Sequence, residues 1–81
     1  MDAAVAFGRV LRRLRAEAGL TQEELGFEAD LRRTYISILE LGQQQPTLTT
    51  ILKLAKPVRR SAQEIVGLVE AEMHQFGRRR R

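Results

Sequence analysis

The chain has 81 residues, room for one small domain whose elements must share a single core. It holds no cysteine and one histidine, His74, which excludes disulfides, cysteine-based zinc sites and histidine metal clusters. Its formal charge is +4, but four of its fourteen Lys and Arg residues are Arg78–Arg81; without them cations and acids stand at ten each, so bulk charge says little about a polyanionic partner and individual arginines must carry that argument.

No apolar run approaches the roughly 20 residues that span a bilayer. The N-terminus "MDAAVAFGRV" is acidic at Asp2 and has no basic stretch ahead of its apolar part, unlike a secretory signal. A cytoplasmic protein with no membrane partner is expected.

All the punctuation is helical. Phe7, Leu11, Leu14 and Ala18 are spaced four, three and four, which is one helix face, and Gly19 supplies a stop. Helix one is expected over about 3–18. "TQEE" at 21–24 is a capping box, in which the Thr21 hydroxyl and the Glu24 carboxylate satisfy each other's backbone amides. Helix two then runs to about Ala29 and buries Leu25 and Ala29. The connection "ADLR" is very short, and Asp30 is the residue in it that best tolerates positive φ.

Helix three is expected from about Arg33 to Leu41, with Leu31, Ile36 and Leu39 inward and Gly42 ending it. "QQQP" at 43–46 is a polar loop closed by proline. Thr47 should cap helix four, with Leu48, Ile51, Leu52 and Ala55 inward and Pro57 stopping it. "SAQE" at 61–64 is a second capping box. Helix five follows, carrying Ile65, Leu68, Val69 and Met73 to about Gln75. Residues 1–76 then form the domain, and 77–81 form a basic tail, read either as a disordered end or as a phosphate-binding arm.

Two short helices joined by a tight turn make a helix-turn-helix unit, whose second helix can reach base edges in a major groove. At this point a resemblance becomes specific. "LRxxxGLTQEEL", "RTYIS" and "LELGxxxPTLTTILKLA" follow one another within residues 7–55. This stretch resembles the phage repressor and Cro family (XRE-type) of helix-turn-helix regulators, and "RTYIS" is similar to the controller proteins of restriction–modification systems. The resemblance implies an all-α, compact five-helix repressor-like DNA-binding domain that binds palindromic double-stranded DNA as a homodimer.

Carried onto matching positions, it implies base contacts from Arg33, Thr34, Ser37 and Ile38, and phosphate contacts from Thr21, Gln22, Arg32, Tyr35, Gln43 and Thr47. Arg33 could meet a guanine with two hydrogen bonds, whereas Ile38 could only touch a thymine methyl. The resemblance also implies that Arg15 and Glu40 pair with each other, joining helix one to helix three in a structural role. Departures from the family pattern are the apolar Ile38 and Leu41, the absence of cations from "GQQQP", and Arg59–Arg60 where a glycine-containing loop is commoner.

Arg9, Arg12, Arg13, Lys53 and Lys56 read as plain solvated surface. Helix five offers more apolar positions than one core stripe needs, so Ile65, Val66, Val69 and Met73 are the expected dimer contacts. No nucleophile–base pair, phosphate loop or metal cluster is visible, so a non-enzymatic bacterial or phage transcriptional regulator is expected, without cofactor, metal or evident small-molecule ligand. The alternative is a protein-interaction module on the same fold, such as an antitoxin, which an exposed Ile38 and Leu41 would support.

Overall fold

The computed structural model describes the backbone of residues 1–79 and the side chains of residues 1–74. Five helices follow in order: α1 (Ala3–Glu17), α2 (Gln22–Ala29), α3 (Arg33–Glu40), α4 (Leu48–Ala55) and α5 (Ala62–Arg79). No strand occurs among the described residues. α5 continues past Gln75, where the sequence suggested an end; Arg80 and Arg81 of the expected tail lie outside the described residues.

Each helix starts where a side chain can satisfy free amides, with one exception. Asp2 accepts from the Val5 amide at 2.9 Å and opens α1, a cap that the apolar spacing did not reveal. Thr21 and Glu24 form the reciprocal box at α2, and Ser61 and Glu64 do the same at α5. The Ser61 hydrogen bonds hold the Glu64 carboxyl below its ordinary range, with nearby Arg60 adding to the effect. That contribution is therefore present above the ordinary glutamate pKa and is lost as pH falls through the lowered value. Thr47 caps α4 through the Thr50 amide at 3.1 Å. α3 is the exception: Arg32 precedes it and gives no side-chain cap, and no acid stands in its first turn. Its leading amides are therefore left to other partners.

The core joins Phe7, Val10, Leu11 and Leu14 of α1 to Leu25 and Ala29 of α2, Ile36 and Leu39 of α3, Leu54 and Ala55 of α4, Val58, and Ile65 of α5. α1 is the central strut, packing on α3 and α5. Two glycines set how closely the elements approach. A methyl at Gly8 would stand 2.5 and 2.7 Å from the carbonyl oxygens of Leu39 and Glu40, so only glycine lets α1 touch the end of α3. A methyl at Gly26 would stand 2.6 Å from the Leu31 carbonyl oxygen, so α2 lies directly against the turn that starts α3.

α4 corrects the expected pattern. Leu48 and Leu52 point outward and are among the most exposed large apolar side chains; the inward stripe is Ile51, Leu54, Ala55 and Val58. Both sets are apolar and at helical spacing, so spacing alone did not choose between them. Ile65 is also corrected. At 2% exposure it belongs to the monomer's core and cannot meet a second copy.

Asp30 takes the left-handed conformation (φ 57°, ψ 48°) between α2 and α3. Arg59 does the same at φ 62° in the turn before α5, where nothing in its residue type favours it. An L-residue there costs about 1–2 kcal/mol, only partly offset by the entropy glycine brings to the unfolded chain. Arg59→Gly should therefore stabilise the protein by about 0.5–1 kcal/mol and raise its Tm by a few degrees in a thermal melt, while Arg59→Val should lower it. A lower Tm for the glycine variant would contradict this reading of the turn.

Candidate nucleic-acid interface

The interface is built around one carboxylate. Glu40, at the end of α3 and with only 5% of its side chain exposed, accepts from Arg15 of α1 through both oxygens: Nε to Oε2 at 2.6 Å and Nη2 to Oε1 at 3.1 Å. Arg15 also donates through Nη1 to the Leu20 carbonyl at 2.9 Å, in the link between α1 and α2. Gln22, the first residue of α2, donates its amide Nε2 to Glu40 Oε1 at 3.1 Å. The hydrogen bond to Glu40 raises the Arg15 pKa against the opposing effect of burial, and the carboxylate charge adds to the rise, so Arg15 stays cationic. The fork geometry of guanidinium on carboxylate is the strong form of this contact.

This network fixes the relative placement of the α2 start and the α3 end, while the α2–α3 turn fixes the start of α3. Leu31 donates its amide to the Gly26 carbonyl at 2.8 Å, closing the end of α2 around Asp30. With Ile36 and Leu39 buried, the opposite side of α3 must face outward. Arg33 and Thr34 are exposed there, and Ser37 and Ile38 are half-buried. Ile38 is therefore less available to a partner than its sequence position suggests, whereas Leu41 is fully outward.

The expected phosphate-contacting residues fall into separate groups. Thr21 and Gln22 line one surface hollow together with Arg15, Glu23 and Arg33, the last expected at bases and not at phosphate. Arg32 lies instead beside a different hollow, with Gly26, Phe27, Asp30 and Leu31. Tyr35 is half-buried against the core, and its hydroxyl lies 3.4 Å from Thr50 Oγ1. Thr47 donates its hydroxyl proton to Thr50 Oγ1 at 3.1 Å and accepts from the Thr50 amide. A hydroxyl has one proton, and in this arrangement Thr47 gives it to Thr50. In the Tyr35–Thr50 contact either hydroxyl can be the donor. Gln43 is exposed in the loop after α3, with its own amide tied to the Ile38 carbonyl.

On α5, Val66 is 44% exposed and Met73 is also open, while Val69 packs partly on the core. Arg9 and Arg13 are not simply solvated: both lie near Glu72 of α5, at 3.8 and 3.5 Å. Lys53 approaches Asp30 at 4.0 Å, and Arg60 meets Glu17 at 3.2 Å. These exposed pairs contribute little individually. The sequence reading missed Phe27, which is 77% exposed. Its signal was present, since it stands two residues from each of the buried Leu25 and Ala29 and so on the far side of α2.

The Helix-turn-helix family profile matches residues 11–65, more than half of the chain. The chain belongs to the helix-turn-helix family. It thereby stands among DNA-binding transcriptional regulators. It is similar to the uncharacterized HTH-type transcriptional regulator y4dJ of Sinorhizobium fredii, at 39% identity over 66 residues covering 82% of this chain and 86% of that protein. It is similar to the restriction-modification controller protein C.AhdI from Aeromonas hydrophila, whose crystal structure matches with a TM-score of 0.73 at 42% identity, covering 76% of this chain and 94% of that one. The clp gene regulator ClgR from Corynebacterium glutamicum matches with a TM-score of 0.92 over 99% of this chain and 85% of its own; at 21% identity that likeness concerns the fold alone.

In this helix-turn-helix domain the Arg15–Glu40 pair ties the unit to its scaffold, and cutting it from one side strands a mostly buried guanidinium. Glu40→Ala should destabilise the domain by about 3–5 kcal/mol, read as a clear fall in Tm. An unchanged melt would show that the pair contributes nothing to holding α3.

Proposed function

We propose that this chain is a sequence-specific transcriptional regulator that places α3 in the major groove of a palindromic operator as a homodimer, working in the cytoplasm. The observation that supports this reading is the two-sided character of α3. Its inner side is buried, and Arg33, Thr34 and Ser37 stand together on its outer side. An eight-residue helix is about 12 Å long, comparable to the width of the major groove.

In this reading Arg33 makes a bidentate contact to guanine, and Thr34 and Ser37 add hydroxyl contacts. Ile38 touches a thymine methyl at the edge of the contact. Gln22 holds a phosphate beside the start of α2, where free amides and the helix dipole favour an anion. Arg32 and Tyr35 lie against the sugar–phosphate strand. One such helix reads only a few base pairs, too few to mark a unique site. Two copies about a twofold axis double the contacts, with half-site centres about 34–36 Å apart. Val66 and Met73, open and seven residues apart on α5, are the apolar side chains that support a dimer contact there.

Two experiments test this. Arg33→Ala should weaken binding to the preferred duplex by about 1–3 kcal/mol at fixed salt and relax the preference at one base pair per half-site. An unchanged preference at every position would remove α3 from the groove. Val66→Glu should sediment as a folded monomer with poor operator affinity. If the unmodified chain sediments as a monomer at concentrations on the order of tens of micromolar while keeping full operator affinity, the dimer is excluded.

A further inference from the structure

We propose that Glu40 is a positioning residue for DNA binding: it holds the Gln22 side-chain amide in the orientation that grips a phosphate, so the buried ion pair sets affinity as well as stability. The inference rests on the reading of Gln22 as a phosphate contact.

Three observations carry it. Glu40 Oε1 accepts two hydrogen bonds at 3.1 Å, one from Arg15 Nη2 and one from Gln22 Nε2. An amide side chain can normally turn over and exchange its oxygen for its nitrogen at little cost, but facing a carboxylate only the NH2 end is attracted. Glu40 therefore selects one of the two amide orientations. The NH2 group has a second hydrogen that this contact does not use, and Gln22 lines the hollow shared with Thr21 and Arg33 at the start of α2. One nitrogen can thus bridge the buried carboxylate and an incoming phosphate.

Two anions on one NH2 group would repel each other if the carboxylate kept its full charge. Arg15 removes that obstacle. It meets both oxygens of Glu40, and its guanidinium remains cationic, so the pair is neutral as seen from the hollow. The same contact that fastens α1 to α3 makes the carboxylate tolerable beside DNA. Glu23, which also lines the hollow, has no such partner among the described ion pairs, so Arg33 is the cation there that offsets its charge.

The test must separate positioning from folding. Replacing both charges at once, as Arg15→Met with Glu40→Leu, removes the anchor without stranding a charge, and such apolar replacements of buried pairs commonly keep or raise stability. Affinity for a fixed operator duplex would be measured at one salt concentration in four proteins: unmodified, Gln22→Ala, the charge-free pair, and the pair with Gln22→Ala. In the natural background Gln22→Ala should cost about tenfold, the affinity equivalent of one charge-assisted hydrogen bond, and equally for all sequences. In the charge-free background it should cost less than about twofold, because an unanchored amide already contributes little. Equal losses in both backgrounds overturn the proposal.

A second measurement covers the case in which the charge-free pair does not fold. In the unmodified protein without DNA, the two Gln22 side-chain amide protons should show widely separated NMR shifts and slow exchange with solvent. Shifts and exchange like those of an exposed glutamine such as Gln44 overturn the proposal. An anchored Gln22 in a protein that binds no duplex would instead leave the anchor intact and defeat the phosphate reading, and with it the positioning role.

Discussion

The carboxylate of Glu40 holds three separate parts of the chain in register. Arg15 brings the end of α1 to it, Gln22 brings the start of α2, and Glu40 is itself the last residue of α3. Arg15 adds the Leu20 carbonyl, so the link between α1 and α2 is drawn into the same contact. α2 and α3 are each eight residues long, too short to persist alone. Their geometry therefore comes from what they are fastened to. Close approach makes the fastening possible, since Gly8 lets the backbone of α1 reach the final carbonyls of α3.

From this constraint the outer face follows. Ile36 and Leu39 are drawn into the core beneath α3, and the turn at Asp30 sets where α3 begins against α2. The outer residues then have no freedom to choose their side: Arg33, Thr34 and Ser37 must face away from the core. A recognition surface benefits from such rigidity, because a side chain already held in place loses less entropy on binding. The uncapped start of α3 agrees with this arrangement. A capping acid there would satisfy the free amides but would also place a negative charge next to the phosphates of the proposed complex.

Much of this was legible in the residues. The capping boxes at Thr21 and Ser61 fixed two helix starts, and Asp30 was identifiable as the positive-φ residue because few non-glycine side chains tolerate it. The alternation of buried and outward positions on α3 could also be read, since Leu31, Ile36 and Leu39 leave a single opposite side. What could not be read was any choice between equal options. α4 carries apolar side chains at helical spacing on two sides, and packing kept Ile51 and Ala55 inward with Leu54 rather than with Leu48 and Leu52. Ile65 and Val66 are adjacent and similar, and the packing of α5 on α1 and α4 decides which is core. The side-chain hydrogen bond from Gln22 to Glu40 was equally hidden, since nothing near Gln22 in the sequence points to Glu40; Thr47 was readable as the cap of α4, but not that its hydroxyl proton would also go to Thr50. Arg59 was noticed as an odd residue for its turn, but its left-handed backbone is set by the join between α4 and α5.

The central claim is that the outer side of α3 and the start of α2 together meet DNA. Titrating isotope-labelled protein with an operator duplex selected from random sequence, and following every backbone amide by NMR, tests that claim most directly. The account predicts the largest shift changes at Gln22–Glu23 and across Arg33–Ile38, with the α2 face around Phe27 and Glu28 little altered. Changes concentrated on Phe27 and Glu28, or on Leu48 and Leu52, with α3 unmoved, would contradict it.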